Sequence, residues 1–176
     1  ARVVDHIRYL STQAKDDPHY YVHHEVGYNY RMTNLQAALG AAQMEELPEF
    51  IRRKQKNFEL YAEEFAGFDL AELMPFREGT CSNKWFYSLL LNRDKVTAPM
   101  REIITALEQE RVQTRAIWGL INEQKPYIGE ITYRLEKAPY YASRILNIPS
   151  STQITAEEIR YVSDKVKQVL GGLADD

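Results

Sequence analysis

The chain has 176 residues, 44% hydrophobic and 27% charged, proportions of an ordinary folded domain and not of a disordered tract. Its 22 Lys and Arg against 25 Asp and Glu leave a net charge of −3, without the basic excess on which nucleic-acid binding depends. No apolar run is long enough to cross a membrane. The single cysteine, Cys81, excludes an intramolecular disulfide or a multi-cysteine zinc site and fits a reducing, cytoplasmic setting.

At the start, Val3, Val4, Ile7 and Leu10 fall on one helical face. No start methionine, capping residue or signal pattern precedes them. The opening reads as the remnant of a helix from a longer polypeptide, with a short native helix as the alternative. Residues 11–32 are polar, rich in Tyr and His, and broken by Pro18 and Gly27, so they read as a long loop. Thr33 and Gln36 offer a capping box. Leu35, Leu39, Ala42 and Leu47 then carry a helix to Pro48, where a kink or short break is expected. A second helix is predicted over 49–65, burying Phe50, Phe58, Tyr61 and Phe65.

Beyond Gly67 the pattern turns extended. A short strand is predicted over 70–74, and KWFYSLLL at 84–91, apolar on both faces, suits a buried central strand. Thr97 caps a predicted helix over 98–110 with Met100, Ile103, Ile104 and Leu107 inward, and 112–116 reads as another strand. A helix over 132–145 must bend or split at Pro139. Thr155 and Glu158 form a second capping box before a stripe of Ile159, Val162, Val166 and Val169. Gly171 and Gly172 should stop that helix and leave Asp175 and Asp176 frayed. The predicted fold is α+β: a small, about three-stranded antiparallel sheet packed with helices and preceded by two long helices. Its organisation is a helix remnant and loop over 1–32, a long helix pair over 33–66 and an α+β domain over 67–176.

Few residues suggest chemistry. His23, His24 and Glu25 are adjacent, and neighbouring imidazoles on a strand or helix do not converge on one ion; no metal site is expected. Cys81 lacks the electropositive surroundings of a reactive thiol. There is no GxSxG, P-loop or GxGxxG pattern. The loop from Gly27 to Asn34 differs. Gly27 permits a turn at positive φ, Asn29 offers amide donors, Arg31 a cationic fork, and free amides open the helix at Thr33. An anionic ligand would suit this set, and so would a plain capped helix whose Arg31 pairs with a surface carboxylate.

The stretch GYNYRMTNLQAALGAAQMEEL, from Gly27 to Leu47, resembles the characteristic segment of the DegT-type aminotransferases. ARVVDHIRYLSTQAKDD at the start, Thr114 through Tyr127, and Leu146 to Ser151 resemble three further family stretches in the expected order. The wording is most similar to that of aminotransferases making 4-amino-4,6-dideoxy sugars. The resemblance implies the C-terminal small domain of a fold-type I aminotransferase. It also implies a bacterial, cytoplasmic enzyme using pyridoxal 5′-phosphate, with glutamate as amino donor and a nucleotide-linked 4-keto-6-deoxy sugar as acceptor. Surface polysaccharide, including lipopolysaccharide, is the biosynthetic setting implied.

In such enzymes a lysine holds the cofactor as a Schiff base, in a large domain that would precede Ala1. None of the lysines from Lys15 to Lys167 stands in the matching context, so a C-terminal fragment with no catalytic residue of its own, inactive alone, is expected. By the same resemblance, Asn29 would bind the cofactor phosphate across a homodimer, and Arg31, Arg115 and Trp118 would face the substrate. The chain departs from the pattern at Ala116, where proline is usual, and at Asn122, where many members carry histidine. The alternative to an enzyme is a non-enzymatic α+β association module. Neither nucleic acid nor membrane is an expected partner.

Overall fold

The computed structural model describes residues 2–17 and 19–175. The chain divides into two compact units, Ala1–Leu47 and Pro48–Asp176. Among the described residues no helix is long and apolar enough to cross a membrane.

The first unit opens with helix α1 (Arg2–Ser11), which buries none of its residues. The loop after it is tied back by backbone hydrogen bonds, Tyr28 N–H to Leu10 O at 2.7 Å and Tyr30 N–H to Ser11 O at 3.1 Å. Gln13 and Ala14 take left-handed φ of 71° and 48°, uncommon for residues with a Cβ. Ala14 is fully buried. A Cβ on Gly27 would lie 2.1 Å from the Gln13 carbonyl carbon, while Gly27 is not among the residues with positive φ. Glycine is required there by close backbone approach, and the expected positive-φ turn is corrected accordingly.

Helix α2 (Asn34–Glu64) runs through Pro48 without a break, so the expected pair of long helices is one. Proline removes a single N–H from the ladder, the donor that would reach Met44 O. The following turn is reinforced at once: Glu49 accepts from Arg52 Nε and Arg53 Nε, each at 2.7 Å. Those guanidinium bonds, Arg52's first, hold the Glu49 carboxyl down at about 2.

The second unit is built on a four-stranded antiparallel sheet of order β1-β2-β4-β3, one strand more than expected. Its strands are β1 (Ala71–Leu73), β2 (Tyr87–Leu91), β3 (Arg115–Ala116) and β4 (Ile145–Ile148). The additional strand is β4, beside a stretch whose spacing is helical. Helix α4 is only Lys137–Ala142, placing Pro139 in its first turn, where a missing N–H costs nothing. The chain is then free to pair Ile145–Ile148 between β2 and β3. Central β2 is shorter than 84–91 because Lys84 has a left-handed φ of 52°. Its Tyr87, Leu89 and Leu91 are buried, with Ser88 and Leu90 half-buried on the other face.

Helix α3 (Met100–Gln109) is capped by Pro99, and no side chain bonds its first turn. Thr97 instead donates its hydroxyl to Asp175 Oδ1 at 2.9 Å, and Asp175 N–H donates to Lys95 O. The expected Thr97 cap and the expected fraying at Asp175 are both overturned by this one contact; Asp176 lies outside the described residues. Helix α5 (Ala156–Gly172) begins with the Thr155–Glu158 capping box and includes both glycines before its cap at Leu173. The core joins Tyr61 of α2 and Phe65 just after it to Leu89, Leu91 and Leu146 of the sheet, Ile103 and Leu107 of α3, and Ile159, Val166 and Leu170 of α5.

Candidate functional site

In the first unit, Thr33 and Gln36 make the capping box reciprocally: Thr33 N–H donates to Gln36 Oε1 at 2.9 Å, and Gln36 N–H to Thr33 Oγ1 at 3.2 Å. Asn29 enters this helix start from an antiparallel bridge with Thr12. The rings of Tyr28 and Tyr30 stack at 5.2 Å, and on extended backbone that alternation turns Asn29 to the opposite side. Asn29, Arg31, Thr33 and Gln36 line a shallow cavity of about 480 Å³. Arg31 is exposed and has no carboxylate within ion-pair distance among the described residues. Amide, guanidinium and helix start therefore share one mouth, a donor set fitted to a phosphate.

The loop behind this mouth is held by two aspartates. Asp16 accepts from Tyr9 O–H at 2.9 Å and His24 N–H at 2.7 Å. Asp17 accepts from the His19 and Tyr20 amides. The His24 amide bond, chiefly, lowers the Asp16 pKa against the opposing pull of desolvation. Neighbouring His23 turns the other way, its Nδ1 on Gln13 O at 2.8 Å. Among the described residues no three His, Cys, Asp or Glu gather as a metal cluster.

In the second unit, Arg115 opens the edge strand β3 and Trp118 follows it. Arg115 pairs in register with Asn147, and its Nη1 donates to the Thr114 carbonyl at 3.0 Å. Trp118 is 67% exposed and stands edge-on to Phe86 at 5.5 Å, with Trp85 at 6.0 Å. It lines a cavity of about 970 Å³ together with Asn122, Tyr127, Tyr133 and Tyr141; Arg115 is not part of that lining. Glu130 is the one carboxylate in the wall, and no lysine lines it. An apolar, aromatic hollow with one neutral amide suits a flat ring and sugar hydroxyls.

Sequence reasoning passed over a row of polar side chains on α2. Lys54 Nζ donates to Trp85 O at 2.9 Å and also to Ser150 O; Asn57 donates to Ser151 O and Tyr61 to Pro149 O. Helical spacing brings these three onto one face, and together they grip the turn between β4 and α5. Burial alone lowers the Lys54 pKa to about 8. Desolvation raises the Tyr61 hydroxyl, and it raises that of Tyr87 to about 12. The available signal was Lys54 and Asn57 recurring at helical spacing on the face of Tyr61, which was read as a core aromatic only.

The sequence profile of the DegT/DnrJ/EryC1/StrS aminotransferase family matches residues 1–167. The chain belongs to this family. GDP-perosamine synthase of Vibrio cholerae is 28% identical to it over 152 residues, covering 84% of this chain and 40% of that protein. The crystal structure of DesI in the presence of its TDP-sugar product superposes with a TM-score of 0.76 at 24% identity, over 94% of this chain and 42% of DesI. The PLP form of Spr1654 from Streptococcus pneumoniae gives 0.76 at 20% identity, over 98% and 44%. The chain thus spans about two fifths of the length of such relatives. In this DegT-family chain the stretches that carried the resemblance fall at the α1 start, the loop into α2, strand β3, and the turn that the Lys54–Asn57–Tyr61 row grips.

Proposed function

We propose that this chain supplies the supporting part of a pyridoxal-phosphate-dependent aminotransferase acting on a nucleotide-linked 4-keto-6-deoxy sugar. Glutamate is the amino donor in this reading, and surface-glycan assembly in the bacterial cytoplasm is the setting. The carrying observation is the family match over residues 1–167. Support also comes from similarity to a GDP-perosamine synthase, and from the two cavities. The Asn29 amide would donate to the cofactor phosphate of a partner subunit, with Arg31 and the α2 start adding positive potential. When bound, the cofactor supplies an electron sink at the substrate carbon. Trp118 would offer its indole face to the sugar nucleotide, and Arg115 its cation to the diphosphate from beside that hollow. Asn122 can hydrogen-bond a sugar hydroxyl but cannot move a proton at neutral pH.

The Schiff-base lysine belongs, on this reading, to polypeptide outside these 176 residues. Neither the Asn29 cavity nor the Trp118 cavity is lined by a lysine, and Lys54 spends its ammonium on backbone carbonyls. Exposed Leu35, Leu39 and Met44 on α2 support an association surface. That would serve a homodimeric enzyme or a purely structural module, and family membership favours the enzyme.

The test takes the longer protein encoded by the same reading frame, loaded with pyridoxal phosphate. Incubated with glutamate and a nucleotide 4-keto-6-deoxy sugar, it should yield the amino sugar by mass spectrometry, and the 176-residue chain alone should not. Borohydride fixation of one equivalent of cofactor to a lysine of the chain alone would overturn the proposed division of labour.

A further inference from the structure

We propose that Lys54 is a positioning residue for Trp118, acting through the main chain of Trp85. The Lys54 ammonium donates to Trp85 O at 2.9 Å, and Ser150 Oγ donates to that same oxygen at 2.9 Å. Lys54 also grips Ser150 O, so one cation joins the entry to β2 with the turn after β4. The Trp85 ring, on the residue so pinned, stacks on Phe86 at 4.6 Å, and both rings meet Trp118. Trp118 carries this wall to the large aromatic cavity. A charged donor binds a carbonyl about twice as strongly as a neutral one, so the protonation of Lys54 reaches the geometry of an indole it does not touch.

The arrangement is costly as well as useful. Lys54 is 8% exposed and has no carboxylate within ion-pair distance among the described residues. The ionisable groups around it are Tyr87, whose ring lies 4.8 Å from Nζ, Tyr61 beside that ring with Glu158 near it, and Lys84 over the Phe58 and Phe76 rings. On its own helix, Arg52 and Arg53 are committed to Glu49. No anion in this set accounts for a buried cation. Its work is to join two carbonyls, Ser150 O and the Trp85 O that it shares with Ser150 Oγ.

The substrate consequence rests on the proposed function, but the positioning itself can be read without substrate. Trp85 and Trp118 are the only tryptophans in the chain, so tryptophan emission and the long-wavelength tryptophan bands of the near-ultraviolet dichroism, beyond those of the tyrosines, report this wall. The wild-type chain should show a reversible change in both centred near pH 8. Lys54→Arg, permanently charged, should keep the low-pH spectrum and lose the step. Lys54→Met should lose the tryptophan dichroism while retaining its far-ultraviolet spectrum; should it fail to fold, the pH profile of Lys54→Arg decides. A step persisting in Lys54→Arg, or native tryptophan dichroism in folded Lys54→Met, would overturn the proposal. Titration with a nucleotide 4-keto sugar is read separately: no quenching in the wild type counts against the substrate reading and leaves the positioning result standing.

Discussion

Thr114 is 2% exposed, and its hydroxyl has no hydrogen-bond partner among the described groups. An unsatisfied buried hydroxyl costs desolvation without return. Thr114→Val should therefore be neutral to about 1 kcal/mol stabilising in urea denaturation; a clear loss would mean the hydroxyl is paired. Tyr61 is the opposite case, fully buried with its O–H on the Pro149 carbonyl at 3.1 Å. Tyr61→Phe should cost about 1–2 kcal/mol by the same measurement, because that carbonyl loses its donor. Tyr61 as a core aromatic was legible from helical spacing. Its bond to a turn 88 residues away was not, since spacing along a helix says nothing about which distant carbonyl arrives there. Asn29 and Arg31 were legible as candidates for a related reason: they precede a helix start whose open amides are a local property.

At the scale of elements, local chemistry was read best where it was self-contained. Both capping boxes form as predicted, at Thr33 and Thr155, because all their atoms lie within one turn. Prolines misled. Pro48 sits inside α2 and Pro139 at the start of α4, and neither breaks a helix in two. An interior proline costs up to about 3 kcal/mol against alanine. Pro48→Ala should therefore stabilise the chain by about 1–3 kcal/mol and raise helicity by far-ultraviolet dichroism. Destabilisation there would show that the flanking turns depend on the proline. Strand β4 was missed because Ile145–Ile148 has too few residues for alternation to outvote a neighbouring helical pattern. Only pairing on both sides, to β2 and β3, makes it extended.

Across the molecule, burial is uneven. The core cluster is drawn from residues of the second unit. In the first unit Val3, Ile7, Tyr20, Val26 and Leu35 are exposed, and only Ala14 is buried among the described residues. A segment with so little buried apolar surface opens at low cost. Limited proteolysis should cut within 13–33 well before any site in α3, β4 or α5, as mass spectrometry of the fragments would reveal; equal rates would contradict the burial pattern.

Stability should also carry an alkaline signature. Lys54 titrates near 8 when folded and near about 10.4 when unfolded. Between those values the unfolded chain binds more protons, so stability rises with pH. Tyr61 and Tyr87 are raised by burial, Tyr87 to about 12. Their contribution is whole below about pH 10 and is lost as pH climbs toward the folded values. The urea midpoint should pass through a maximum near about pH 10, with the rising limb missing in Lys54→Met. A steady fall from pH 8 in the wild type would contradict both assignments.

The sequence by itself determined the α+β class, the capping boxes at Thr33 and Thr155, and the family. These rest on short-range periodicity, or on motifs that keep their wording along the chain. Tertiary structure alone decided that four strands pair and that Gly27 is needed for a close approach rather than a turn. It also decided that Trp118 and Tyr141 share a hollow, and that a buried lysine holds the Trp85 carbonyl. Each of these depends on groups far apart in sequence meeting at a distance of a few ångströms, where desolvation and donor geometry, not local propensity, set the energy.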